Sequence, residues 1–291
     1  MTHVARTPAE VRAALDAARR SGLRVGLVPT MGALHEGHLS LVDGARDHGA
    51  EMIAVTVFVN PLQFGPAEDL ERYPRTLDAD LARCRERGVD LVYAPERPTM
   101  YPPGFETAVE VGELTTRLEG RFRPGHFRGV TTVVAKLFAL ASPCVATFGR
   151  KDYQQWRVVA RMARDLDLDV EVVGMPIVRE PDGLALSSRN RYLGPAERER
   201  ALGIARGLRR AALAFDQGER DRGTLERLAR EPVAQGFDRV DYVAIADADD
   251  ISPLPDEIGE RALLAVAAHI GSTRLIDNVV LGEDPAPPCR D

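Results

Sequence analysis

The chain has 291 residues, a formal net charge of −6, and 44% hydrophobic and 28% charged residues. That balance describes a globular protein with room for a full core and two domains, at roughly 100 to 200 residues each. The acidic excess argues against nucleic acid as a partner, and no apolar run reaches the roughly 20 residues of a membrane span.

The opening stretch MTHVARTPAEVRAAL lacks an apolar signal core, so secretion is not expected. Cys84, Cys144 and Cys289 are too scattered for a disulfide framework or a metal cluster, which fits a reducing cytoplasm. Thr7, Pro8 and Glu10 predict a helix start, with the helix running to Gly22. Residues 25–28 form a short apolar strand. The following PTMGALHEGHLSL, from Pro29 to Leu41, is a strand-to-helix junction. Backbone N–H groups and the helix dipole at such a junction favour phosphate.

His35 and His38 lie one helical turn apart and can reach one anion. The helix is expected from about His38 to Gly49, with Gly37 where it begins. No further Cys or His lies nearby at ligand spacing, so zinc is the weaker reading. An HxxH pair alone is chance-prone. Its weight comes from standing at the first junction of an alternating strand and helix pattern, where open parallel sheets bind ligands.

Residues 52–59, MIAVTVFV, read as a central parallel strand buried on both faces, ending at Asn60 and Pro61. Gln63 then falls at the carboxyl edge of the sheet. Tyr73 and Pro74 precede a helix over about residues 76–87, closed by Gly88, with Asp78 and Asp80 in its first turn, where the dipole favours acids in any case. A strand over residues 90–94 and a proline-rich loop follow. In EGRFRPGHFRGV, Arg121, Arg123 and Arg128 surround His126, the composition of an anion-facing loop. A helix over about residues 130–140 and a strand over 145–148 lead to GRKDYQQW. There Gly149, Lys151, Asp152 and Gln155 occupy a second strand-to-helix junction. After a strand over residues 170–178, Ser187, Ser188 and Arg189 occupy consecutive positions of a third candidate phosphate loop.

Beyond this point, helices over about residues 195–215 and 222–234 and strands near 240–246, 262–269 and 273–280 repeat no such cluster. The expectation is an α/β protein: a Rossmann-like parallel-sheet N-terminal domain over residues 1–178 and a smaller α+β C-terminal lid domain over 179–291. The tail GEDPAPPCRD is expected to be mobile.

PTMGALHEGHLSLV, VFVNPLQF, RYPRTLDAD, RPGHFRGV, FGRKDYQQ and DGLALSSRN, in this order and with GSTRLIDN near the end, resemble the pantothenate synthetases, or pantoate beta-alanine ligases. That family belongs to the nucleotidyltransferase-like Rossmann group with an HxGH signature, here HEGH from His35 to His38. The resemblance implies that pantoate and beta-alanine are joined at the expense of ATP through pantoyl adenylate, releasing AMP and pyrophosphate, with Mg²⁺ accompanying ATP. It also implies a homodimer whose partners are those three small molecules.

Carried over to matching positions, the resemblance makes His35 and His38 donors to phosphate oxygens and gives Lys151, Ser187, Ser188 and Arg189 the triphosphate. Pro29, Thr30, Met31, Gly37, Gly149 and Asp152 complete the implied ATP site. Gln63, Gln155, Met31 and His126 are assigned to pantoate, Tyr73 to a loop near the site, and Asp80 to Mg²⁺. The sequence departs from the family at Leu186, a volume-conserving change from Met, and at Arg150, Trp156, Ala139 and Cys144. Two alternatives remain, a related HxGH nucleotidyltransferase and a catalytically idle ATP-binding protein. The two glutamines and RPGHFRGV speak against the first. Intact His35, His38, Lys151 and Arg189 speak against the second.

Overall fold

The computed structural model describes residues 2–66 and 68–289. They form two compact units, Met1–Arg150 with Gln155–Pro176, and Lys151–Gln154 with Ile177–Asp291.

In chain order the first unit comprises β1 (His3–Ala5), α1 (Pro8–Arg20), β2 (Val25–Thr30), α2 (Glu36–Asp47), β3 (Met52–Val57), α3 (Leu77–Glu86), β4 (Leu91–Tyr93), α4 (Arg97–Met100), α5 (Glu119–Phe122), α6 (His126–Ala141), β5 (Cys144–Gly149), most of α7 (Tyr153–Asp165) and β6 (Val170–Met175). The second comprises α8 (Pro195–Asp216), α9 (Arg222–Gly236), β7 (Arg239–Ala246), β8 (Ala262–Ile270) and β9 (Thr273–Leu281).

The expected parallel sheet is present: six strands in the order β1-β4-β3-β2-β5-β6, all paired in parallel. Its apolar runs are continuous because both faces are covered. Val25 and Leu27 of β2 join one core with Val11 and Leu15 of α1, Val130 and Val133 of α6, and Val159 and Met162 of α7. Val28, one step along the same strand, joins another with Leu41 and Val42 of α2 and Leu81 and Cys84 of α3. Alternation along a strand thus builds a three-layer sandwich. The chain turns back at β2, from which β3 and β4 lie on one side and β5 and β6 on the other. Ligands of open α/β sheets bind at the carboxyl ends of the strands at such a reversal.

In the second unit β7-β8-β9 form an antiparallel sheet. Its core combines Ile245, Leu264, Val266 and Val279 from the strands with Leu202 and Leu208 of α8 and Leu225 and Val233 of α9.

Several expected boundaries move for local reasons. Helix α2 starts at Glu36, so His35 is its N-cap rather than a residue ahead of a later start. Helix α6 starts at His126, four residues earlier than the apolar run suggests, because left-handed Gly125 (φ 82°) breaks the chain there. Strand β6 stops at Met175, since Pro176 has no N–H for a ladder. β1, three residues long, carries too little pattern to be seen in the sequence. The tail is bonded back as far as Pro287: Asp284 accepts from the Val280 N–H at 2.9 Å, and Pro287 O accepts from Arg209 at 3.2 Å. Its last residues, Arg290 and Asp291, lie outside the described residues.

Candidate active site

The junction after β2 is held from below. The Thr30 hydroxyl donates to Thr56 O at 2.5 Å, and the Thr30 N–H donates to the Thr56 hydroxyl at 3.2 Å, locking the carboxyl ends of β2 and β3 together. Gly32 follows in the left-handed region (φ 82°), where an added Cβ would lie 2.9 Å from Val57 Cγ1 and 3.0 Å from Asp80 Oδ2. Ala33 is also left-handed (φ 51°), a conformation that costs a non-glycine residue about 1 kcal/mol.

Asp80 holds that turn. Its carboxylate accepts from the Ala33 N–H at 3.0 Å, the Leu34 N–H at 2.8 Å and the Thr76 hydroxyl at 3.2 Å, and the residue is 1% exposed. A carboxylate this enclosed and this occupied does not fit a direct Mg²⁺ ligand, which must meet a hydrated cation. Among the described residues, no group of three or more His, Cys, Asp or Glu could hold a metal.

The turn delivers His35 as the N-cap of α2 and His38 in its first turn, with ring centroids 4.1 Å apart. The His35 N–H donates to His38 Nδ1 at 3.3 Å. A ring nitrogen that accepts carries no proton, so the proton of neutral His38 sits on Nε2. The histidine pair thus stands beside the Gly37 region of the helix N-terminus, where the dipole favours an anion.

After β3, Asn60 caps a one-turn 3-10 helix, Pro61–Gln63. Asn60 Nδ2 donates to Gln63 Oε1 at 2.9 Å and to Gly129 O at 3.0 Å, while Asn60 Oδ1 accepts from the Tyr101 hydroxyl at 2.8 Å. With its oxygen engaged, the Gln63 amide offers its NH₂. Helix α6 comes close enough that a Cβ on Gly129 would lie 2.2 Å from Leu62 O.

His126 sits beneath the same turn, 7% exposed. Its Nδ1 lies 2.9 Å from Gln63 O, which can only accept, and its Nε2 lies 3.1 Å from Arg123 Nη1, which can only donate. The partners thus assign a neutral ring with the proton on Nδ1. Burial, with the adjacent Arg123 charge, lowers its pKa to about 4. Both ring nitrogens serve the protein, so His126 acts on Gln63 rather than touching a ligand itself.

The anion-facing reading of the basic loop is corrected at two of its arginines. Arg123 makes a bidentate pair with Glu68, both bonds at 2.7 Å, and Arg128 pairs with Glu110 at 2.8 Å. Tyr73 is buried and packs edge-on against Phe64, with centroids 5.8 Å apart. At the end of β5, Gly149 has open space where a Cβ would stand. Gln155 lies in the first turn of α7, half-buried. Next to it Trp156 lies flat on β6, its ring 2.4 Å from the position of a Cβ on Gly174, so the bulky departure at 156 is matched by a glycine opposite.

The second unit carries Lys151 and Asp152 in a 3-10 turn, and the serines. Ser187 caps the 3-10 helix Ser188–Tyr192, its hydroxyl accepting from the Arg189 N–H at 3.3 Å. Ser188 is buried and Arg189 half-buried.

A family model described as pantoate-beta-alanine ligase matches residues 3–280. The chain belongs to the pantoate-beta-alanine ligase family. It is 52% identical over 278 residues to pantothenate synthetase 1 of Bradyrhizobium diazoefficiens, covering 96% of this chain and 98% of that protein. It is 54% identical to the pantothenate synthetase of Roseiflexus sp., covering 94% and 98%. Among solved structures, the pantothenate synthetase of Thermus thermophilus superposes with a TM-score of 0.89 at 49% identity, covering 96% and 99%. The Francisella tularensis ligase, complexed with beta-gamma ATP and beta-alanine, gives 0.80 at 30% identity, covering 98% and 100%.

This near full-length match separates a ligase from the other HxGH nucleotidyltransferases, which the histidine pair alone could not do. In this ligase the groups that sequence reasoning missed are Asn60 and Tyr101 behind Gln63, and Glu68 behind Arg123. Asn60 alone left a mark, as a capping residue directly before proline.

Proposed function

We propose that the enzyme joins pantoate to beta-alanine in two displacements. A pantoate carboxylate oxygen attacks the α-phosphorus of ATP; the O–P bond forms as the bond to the β-phosphate oxygen breaks, and pyrophosphate leaves. The amine of beta-alanine then attacks the acyl carbon of pantoyl adenylate; the C–N bond forms, the C–O bond to phosphate breaks, AMP leaves, and the ammonium proton is lost. The reaction asks for positioning and charge stabilisation rather than a protein nucleophile.

The observation that carries this reading is the β2–α2 junction, where His35 and His38 stand 4.1 Å apart at a helix N-terminus. They donate to phosphate oxygens as charge builds. Lys151, Ser187, Ser188 and Arg189 hold the triphosphate, and Gly149 and Asp152 the ribose. Pro29, Thr30, Met31 and Gly37 line the α-phosphate and its neighbour. Gln63 and Gln155 bond pantoate, with His126 steadying Gln63. Mg²⁺ enters as part of the substrate, bound by ATP's own phosphates, rather than on Asp80. The enzyme is proposed to work as a cytoplasmic homodimer, as the sequence resemblance implies. No helix among the described residues is long and apolar enough to cross a membrane.

The test is exchange of labelled pyrophosphate into ATP without beta-alanine. It should require pantoate. Exchange indifferent to pantoate, or release of ADP, overturns the proposal.

A further inference from the structure

The C-terminal motif GSTRLIDN ends in Asp277 and Asn278, which are 5% and 3% exposed and lie on β9, an edge strand of the three-stranded sheet. A carboxylate and an amide buried there are costly unless fully partnered. Asp277 Oδ1 accepts from the Asn278 N–H at 2.8 Å, and further partners come from the Arg179 arm and the Lys151 turn of the second unit. Asp277 receives a bidentate pair from Arg179, at 2.5 Å to Oδ2 and 2.9 Å to Oδ1. The same guanidinium donates to Asn278 O at 3.2 Å and to Gly183 O at 3.1 Å, a fourfold use that a lysine could not reproduce. Arg179 bridges Ala185 in antiparallel fashion, and the Leu186 N–H donates to Val178 O at 3.0 Å. This braced arm runs directly into Ser187, Ser188 and Arg189.

Asn278 turns to the other loop, its Nδ2 donating to Lys151 O at 2.9 Å. The bond uses the lysine's main chain and not its ammonium. Two consecutive residues of one strand therefore fasten both loops, and the Asn278 carbonyl on the free edge of that strand is engaged by Arg179.

We propose that Asp277 and Asn278 are positioning residues for the triphosphate: they fix the Lys151 turn and the Ser187–Arg189 loop to one strand. This rests on the reading of those loops as ATP-binding. Groups that must contact one polyphosphate need mutual placement finer than about 0.5 Å, and β9 supplies a common rigid mount.

The test compares Asp277→Asn, Arg179→Lys and Asn278→Ser with the unaltered enzyme. Pyrophosphate exchange gives KM for ATP and pantoate, and calorimetry gives Kd for α,β-methylene ATP. Each variant should raise KM and Kd for the nucleotide about tenfold, in line with the loss of one buried hydrogen bond, and change KM for pantoate less than twofold. Unchanged nucleotide KM and Kd, with only kcat or the folded fraction reduced, overturns the proposal. If Asp277→Asn does not fold, Asn278→Ser, which deletes one bond, decides alone. If the unaltered enzyme shows no exchange, the functional reading fails, and the calorimetry still decides the anchoring.

Discussion

Asp80 and His126 are buried polar groups that the sequence assigns to ligands and the structure turns toward the protein. Asp80 holds the N–H groups of the left-handed Ala33 turn. Asp80→Asn sets an amide NH₂ against one of those N–H groups and leaves it unsatisfied, at about 1–3 kcal/mol. Turnover should fall at least tenfold while the Mg²⁺ concentration for half-maximal rate stays unchanged; a raised Mg²⁺ requirement would restore the ligand reading. For His126 the linkage has a definite sign. Its native pKa of about 4 lies below the ordinary 6.5, so the unfolded chain binds a proton first as pH falls. Stability attributable to the neutral ring is full above pH 6.5 and lost toward pH 4, at about 1.4 kcal/mol per pH unit. His126→Asn, which keeps a donor near Nδ1, should flatten that decline when thermal midpoints are compared from pH 7 to 4.5; parallel curves would exclude it. Neither role was legible in the sequence, because beside the nearby Thr76 and Arg123 side chains the deciding partners are main-chain groups 46 or 63 residues away, and backbone atoms leave no trace in side-chain identity.

Elements were far more legible than their contacts. The apolar runs of β2 and β3 announce strands buried on both faces, and the glycine and histidine pattern between β2 and α2 marks a ligand-facing junction. What could not be read was how closely α6 approaches the turn that carries Gln63. Gly129 looks like a loop glycine in RPGHFRGV, yet it lies inside the helix and its missing side chain admits Leu62 O. Gly129→Ala forces the turn outward by overpacking, at about 1–3 kcal/mol. Because the displaced residue is Gln63, KM for pantoate should rise about tenfold and KM for ATP should hold. Steady-state kinetics against each substrate separates this from general destabilisation, which would move neither.

Taken whole, the molecule has separate cores; the sequence places a domain boundary between residues 178 and 179 but does not show that Lys151–Gln154 cluster with the later residues. That exchange of a short segment depends on long-range packing, to which composition is blind. Leu225 is fully buried in the second unit's core. Leu225→Ala should cost about 2–5 kcal/mol through the cavity it leaves. Hydrogen exchange should quicken across residues 184–281 and hold across 25–94; uniform quickening would mean one cooperative unit. Trp156 has a different consequence at this scale. It is the one tryptophan of the chain, pressed on the bare backbone of Gly174 and directly following Gln155. Excited at the red edge of protein absorption, the unlabelled enzyme emits from a single indole next in sequence to a proposed pantoate contact, so its native fluorescence should change when pantoate is added if Gln155 binds it.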